Sequence, residues 1–427
     1  MVLGIALLTV IADIFILIQY KSAYIKQQIY LLLIFIIGLT FVGQLDVLLP
    51  IYFTFSAVTL ISKLKFVTKV TFFSSIYFLI YLLYGLINQD IVATIVAFVA
   101  KFWQFIIFFI VISIKIKFKE TITMQTIYTC LIIETLLGMY LLSTGQMMDP
   151  NGMVRLVSNS QPITGNLAIV TLPISVYLYF SVNATSVIRR KLILTNLLFL
   201  VWIVLSGTRG YLMIYSFTML VILLDYFGFR VRDIKSLIKN SLFILCGISL
   251  VVLLIIIWLP DVTDRVDSIL RLSASVGIRT FENALIIDFF KNTSLLVNIF
   301  GIGMGGKAGE YSEYLKALND QLTLGMWHSS RYMYGSGVLF HNLYANILLT
   351  LGILGLIVIA FMGLYIYKTI SLCCIDSVDI KYALILYFIG FLLMNYYRWS
   401  ADCGIGEMII LALILQKIKQ DKNEDER

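Results

Sequence analysis

The chain is short of almost everything a soluble enzyme is built with. Of its 427 residues only 13% are charged, five are proline and two are histidine. Ordinary globular domains carry roughly 25% charged residues, so this composition excludes a conventionally solvated surface. The five cysteines, Cys130, Cys246, Cys373, Cys374 and Cys403, sit in or beside apolar segments without paired spacing. That argues against a disulfide framework. The adjacent Cys373 and Cys374 fit either soft residues at a span end or a palmitoylation or metal site. There is no D-x-D carboxylate pair and no internal repeat. Gly301–Gly306 lacks the preceding strand and the following Lys-Ser/Thr of a nucleotide loop. The first 20 residues lack the basic start and small-residue cleavage site of a signal peptide.

What remains is apolar. Hydrophobic residues make up 60% of the chain, with 29 Phe and 25 Tyr. Uncharged apolar runs of about 18–20 residues read as membrane-spanning helices. Thirteen are expected, near residues 2–20, 28–43, 46–62, 70–88, 91–114, 121–143, 165–183, 191–206, 209–227, 237–259, 338–367, 380–397 and 403–418. If 28–43 and 46–62 form one re-entrant unit, the number is twelve. The fold class is therefore all-α and polytopic, organised as a ten-span bundle over 1–259, a loop domain over 260–337 and C-terminal helices with a tail over 338–427.

The net charge of +8 does not point to nucleic acid, because the basic residues lie in short gaps between spans. Alternate gaps hold them: Lys21 and Lys26; Lys63, Lys65 and Lys69; Lys115, Lys117 and Lys119; Arg189, Arg190 and Lys191; Arg230, Arg232, Lys235 and Lys239; Lys368 and Lys381; Lys417 and Lys419. Such a bias marks the cytoplasmic side, where anionic lipid is the natural partner. It puts the loops at 144–164 and 260–337 outside.

Within the long loop, Ile278, Phe281, Leu285, Ile286 and Phe289 recur at helical spacing. They predict an amphipathic helix over 275–292, lying on the outer membrane surface or on the bundle. Glycines 301, 303, 305 and 306 then break the chain, and a second short helix is expected around Glu310–Leu318. Asp261, Asp264 and Asp267 among Arg265 and Arg271 read as a solvated helix start. Lys101 and Glu134, each mid-span, suggest a buried ion pair. Its role is either to join two helices or to form part of an ion route. Ser206-Gly207-Thr208-Arg209-Gly210 makes a tight outer turn whose Arg209 either snorkels to headgroups or binds an anion by its two-pronged guanidinium. His341-Asn342, followed by Tyr344, opens a span at the same surface, and a histidine there can hold a proton near neutral pH. His328 has no comparable context.

Over residues 140–360 these pieces, in this order, resemble the O-antigen ligase and Wzy-type polysaccharide polymerase superfamily. Arg155-Leu156, Pro162 and Gly165-Asn166, with Pro173 in the following span, look like its outer loop. Ser206–Gly210 looks like its S-x-S/T-R-G turn. Arg279, Phe281 and Ala284 with Gly301-Ile302-Gly303 look like its R-x-x-x-x-A…G-x-G run. His341-Asn342 with Gly352-Ile353-Leu354-Gly355 looks like its HN…GxxG signature. Phe281 stands where tryptophan is common.

The resemblance implies a GT-C-like glycosyltransferase in the bacterial cytoplasmic membrane, acting on its outer face with neither metal nor cofactor. The donor would be an oligosaccharide on undecaprenyl pyrophosphate. The chain-length regulator and flippase of the same pathway would be partners, alongside membrane lipid. His341, Arg209 and Arg279 would be catalytic; Arg155, Asn342, Arg265, Arg271 and Tyr344 would bind substrate. A polymerase extending O-antigen or capsule and a ligase passing the glycan to another acceptor share this pattern. A flippase for the same lipid-linked sugar is a third reading, suited by Lys101, Glu134 and Asp13.

Overall fold

The computed structural model describes residues 69–102, 157–158, 161–162, 166–181, 184–206, 209–228, 286–306, 342–374, 378–397 and 405–425, with isolated positions between 105 and 140 and residue 235. Among the described residues the architecture is all-α. The exception is an antiparallel pair of two-residue strands, β1 (Val157–Ser158) and β2 (Gln161–Pro162), in the expected outer loop. The helices are α1 (Lys69–Asn88), α2 (Ile91–Lys101), α3 (Asn166–Phe180), α4 (Ser186–Ser206), α5 (Arg209–Tyr226), α6 (Leu295–Phe300), α7 (Leu343–Cys373), α8 (Val378–Tyr397) and α9 (Ile405–Asp425). The spans expected near 2–20, 28–43, 46–62 and 237–259 lie outside the described residues, as does the helix around 310–318.

Local sequence explains where several helices begin. Side-chain oxygens of Asp90, Ser294 and Asn342 accept backbone N–H groups at the starts of α2, α6 and α7. They satisfy donors that a helix N-terminus leaves orphaned. Pro173 sits inside α3 and removes one backbone donor there. The helix continues because it is encased: residues 168–179 are buried on every side. A helix apolar all round belongs at the centre of a bundle, and α3 packs against α4, α5, α8 and α9.

The tightest pairing is between α5 and α8. A Cβ on Gly390 would stand 2.7 Å from the Ile214 Cα, so the missing side chain is what lets the backbones meet. Between α4 and α5, the buried Tyr215 hydroxyl donates to the Asn196 side-chain and main-chain oxygens, and Asn196 Nδ2 donates to the Leu192 carbonyl at 2.8 Å. Tyr215→Phe leaves those acceptors without this donor. The expected loss is about 1–3 kcal/mol, read as a lower melting temperature in detergent with helix content unchanged.

Among the described residues two helices, α7 and the 378–395 stretch of α8, are long and apolar enough to cross a membrane; shorter apolar helices occupy 72–88, 168–180 and 211–226. On α7 one face is buried through Ile359, Met362, Ile366 and Ile370. The opposite face exposes Ile353, Ile357, Phe361 and Leu364. Outward apolar faces of the same kind run along α1 (Phe73, Ile80, Leu83, Ile87) and α4 (Leu194, Leu197, Val201).

α7 departs from expectation. Its apolar run predicts one helix over 338–367; the helix occupies 343–373 and is broken at Gly352, with φ +66 and ψ −164. Lys368 does not end it, because a lysine stem can lie along an apolar surface while its head reaches water. The break makes a short half-helix, 343–351, and a longer one of about 33 Å from 352 to 373 at 1.5 Å per residue.

Candidate functional site

The site builds outward from that break. Past residue 352 the helix no longer supplies donors to the carbonyls of Leu349 and Thr350. The glycine segment 301–306 supplies them: Ile302 N donates to Leu349 O and Gly303 N to Thr350 O, both at 2.9 Å. The approach is so close that a Cβ on Gly301 would overlap the Thr350 carbonyl, and one on Gly352 would overlap the Ile299 carbonyl. Only glycine offers neither the Cβ nor the penalty for left-handed φ. The two glycine signatures singled out in the sequence therefore meet, and each is the packing surface of the other.

The hairpin of α1 and α2 closes the other side of the segment. Tyr81 donates to Phe300 O at 2.7 Å, Gln89 Nε2 to Ile302 O at 3.4 Å and Thr94 Oγ1 to Met304 O at 3.0 Å. The Tyr77 hydroxyl reaches Leu351 O at 3.4 Å. Tyr81, Gln89 and Thr94 were not legible as site-positioning residues, since their partners lie more than 200 positions away.

The chain just before α6 docks on the short half-helix. Residues 286–292 are helical, and Ile286 and Phe289 bury against Ile302, Ala345 and Leu349. These two belong to the apolar stripe expected over 275–292, so at this end the stripe faces the bundle. The remainder, with Arg279, lies outside the described residues. Thus the loop that carries Arg279 is anchored, seven residues later, on a helix that begins two residues after His341.

Asn342 and Tyr344 have defined roles. Asn342, 3% exposed, caps α7: its Oδ1 accepts from Tyr344 N at 2.9 Å and Ala345 N at 3.4 Å. The Tyr344 hydroxyl donates to Leu392 O of α8 at 2.9 Å. Asn342, Asn346 and Thr350 form a buried line one turn apart. Asn346 Nδ2 donates to Asn342 O at 3.0 Å and Thr350 Oγ1 to Asn346 O at 2.6 Å. The backbone of Arg209 opens α5 three positions after α4 ends at Ser206, the turn expected there; its side chain lies outside the described residues. So do Arg155, Arg265, Arg271, His328, His341, Glu134 and Asp13. Lys101 is the last residue of α2.

Glu407, only 4% exposed near the start of α9, escaped the sequence reading. Its signal was a lone carboxylate opening an apolar run, and such residues in membrane segments commonly mark a paired or functional position. Among the described residues no group of three or more His, Cys, Asp or Glu is placed to hold a metal. No protein-family model matches the chain, nor does any curated protein sequence.

Proposed function

We propose that the protein is a multi-pass membrane glycosyltransferase. In this reading it joins oligosaccharide repeats carried on undecaprenyl pyrophosphate, at the outer face of the bacterial cytoplasmic membrane. The observation that carries the reading is the anchoring of the Arg279-bearing loop on the helix that follows His341, through the same glycines that form two of the four family-like signatures. The outward apolar faces of α1, α4 and α7 support a lipid surround.

Helix directions agree with the charge bias. Arg189, at the start of α4, stacks over the Tyr179 ring at 5.5 Å, and Asp225 near the end of α5 faces Tyr179. The ends of α3 and α5 and the start of α4 thus share one pole. Tyr344 joins the start of α7 to the last third of α8, as antiparallel neighbours require.

The chemistry is a displacement at the anomeric carbon of the donor glycan. The bond from that carbon to the pyrophosphate oxygen breaks and the pair of electrons leaves with undecaprenyl pyrophosphate. A hydroxyl of the acceptor glycan forms the new bond, and its proton passes to His341. Arg209 and Arg279 bind the diphosphate, whose charge grows as the bond breaks. Purified protein given only short lipid-linked repeats is expected to release a ladder of longer products. No ladder from that substrate alone, with the glycan transferred only once a different acceptor is added, would assign a ligase. Movement of the lipid across vesicles without new glycosidic bonds would assign a flippase.

A further inference from the structure

Residues 292–306 contain no charged side chain, between Lys291 and Lys307. An uncharged apolar stretch of this length is too short to cross a bilayer but suits a segment that enters and returns. The structure gives it that shape. Phe300, at the end of α6, is hydrogen-bonded by Tyr81, seven residues short of the end of α1 at Asn88. That is a depth of about 10 Å along a helix, against a hydrocarbon core of about 30 Å. The chain then climbs back: Met304 contacts Gly85 and Thr94, both nearer the α1–α2 turn.

The surface of this loop is apolar where it faces away from protein. Leu295 is 74% exposed and Leu296 68%, and Phe300 is also exposed. On α1, Ile80, Leu83, Tyr84 and Ile87 are exposed as well, and the Tyr84 ring lies against Gly303 of the loop. Many of its polar groups are closed internally. Thr293 Oγ1 donates to Asn298 Oδ1 at 2.7 Å, Asn298 Nδ2 to Phe290 O at 2.9 Å, and Ser294 caps α6. The carbonyls of Phe300, Ile302 and Met304 and the amides of Ile302 and Gly303 all have protein partners. Water would make such closure unnecessary. Irregular backbone at membrane depth requires it, because lipid offers no hydrogen bonds. Asp288 and Lys291 precede the descent, where headgroups and water are in reach.

We propose that residues 295–306 form a re-entrant segment, sunk into the outer half of the bilayer, whose Leu295, Leu296 and Phe300 side chains contact acyl chains. The long outer loop is then not wholly aqueous: it dips into the membrane beside the broken α7. This inference rests on the membrane reading above, and the test separates the two. In full-length protein with its five cysteines replaced, single cysteines at Leu295, Leu296, Phe361 and Leu364 are spin-labelled and the protein is reconstituted in vesicles. Collision with oxygen, which concentrates in lipid, is compared with collision with a water-soluble nickel chelate.

The expected result is that all four labels collide several-fold more with oxygen than with nickel. Nickel access at 295 and 296, with 361 and 364 lipid-like, overturns the re-entrant segment and leaves the membrane protein standing. Low collision with both reagents at 295 and 296 means protein covers them, which also overturns it. Nickel access at all four positions removes the membrane reading and the proposal together.

Discussion

Replacing His341 with alanine is expected to abolish long-chain polymer while the protein still accumulates in the membrane. A base that takes the acceptor proton as the new bond forms contributes roughly 100–10,000-fold in rate. Arg209→Ala and Arg279→Ala are expected to fall by about 100–1000-fold each, the usual cost of removing one preorganised donor from a developing negative charge. Lysine at either position should restore only part of the loss, because an ammonium keeps the charge but not the two-pronged geometry. The double arginine variant should be little worse than the worse single one, since groups acting on one transition state are not additive.

The measurement is polymer length on cells and product formation in vesicles, normalised to protein amount. Asp90→Ala, which removes the cap of α2, is the control for a merely structural effect. Loss of that cap costs typically about 1 kcal/mol, which lowers the melting temperature but leaves a folded enzyme with polymer. If all three single variants still build long chains, the catalytic assignment is wrong. If Asp90→Ala loses polymer as fully as His341→Ala, the loss at His341 reports folding rather than chemistry.

The helices were the legible part because a single physical rule, about 20 apolar residues per crossing, writes itself into a local stretch. α1, α3, α5 and α8 lie within a few residues of their expected ends. The break in α7 was not legible because it is invisible to hydropathy. Leu351 and Ile353 flank Gly352 with apolar residues on both sides, so the run reads as continuous. What breaks the helix is a partner about 50 positions upstream, and nothing in the Leu-Gly-Ile sequence names it. The glycines themselves were legible as special, but not what they were for. Gly301–Gly306 carries the spacing of a backbone-approach motif, and the approach is to another stretch of this chain. Tyr81, Gln89 and Thr94 carried no signal, because a polar side chain near a span end is commonplace. The Asn196–Tyr215 pair is similar: each residue alone is an ordinary polar interruption, and only the crossing of α4 and α5 makes them partners.

Gly352→Ala is expected to be strongly damaging for a change of a single methyl group. Gly352 sits at φ +66 and ψ −164, a backbone region open essentially to glycine alone, which costs an L-residue about 1–3 kcal/mol. The added carbon would also overlap the Ile299 carbonyl and stand 2.7 Å from Gly301 N. Both neighbours are backbone, so no side chain can swing aside. Relief requires the glycine segment 301–306, which lies as a strap across the break, to move off α7, and that breaks the bonds from Ile302 N and Gly303 N to Leu349 O and Thr350 O. Each buried group left unpaired costs about 1–3 kcal/mol, so the change is expected to cost at least about 3 kcal/mol, at or beyond the top of the usual range for point changes.

Gly363, on the same helix, is the internal control. A Cβ there meets nothing within 4 Å, and alanine in a helix interior is favoured over glycine by about 0.5–1 kcal/mol. Thermal unfolding in detergent should therefore separate the two substitutions, with Gly352→Ala lower and Gly363→Ala unchanged or higher. Because the strap also anchors the Arg279-bearing loop, Gly352→Ala should lose polymer even at temperatures where it stays folded, and Gly363→Ala should keep it. Equal melting temperatures for the two variants would mean that the strap does not hold the broken helix, and the anchoring argument for the site would go with it.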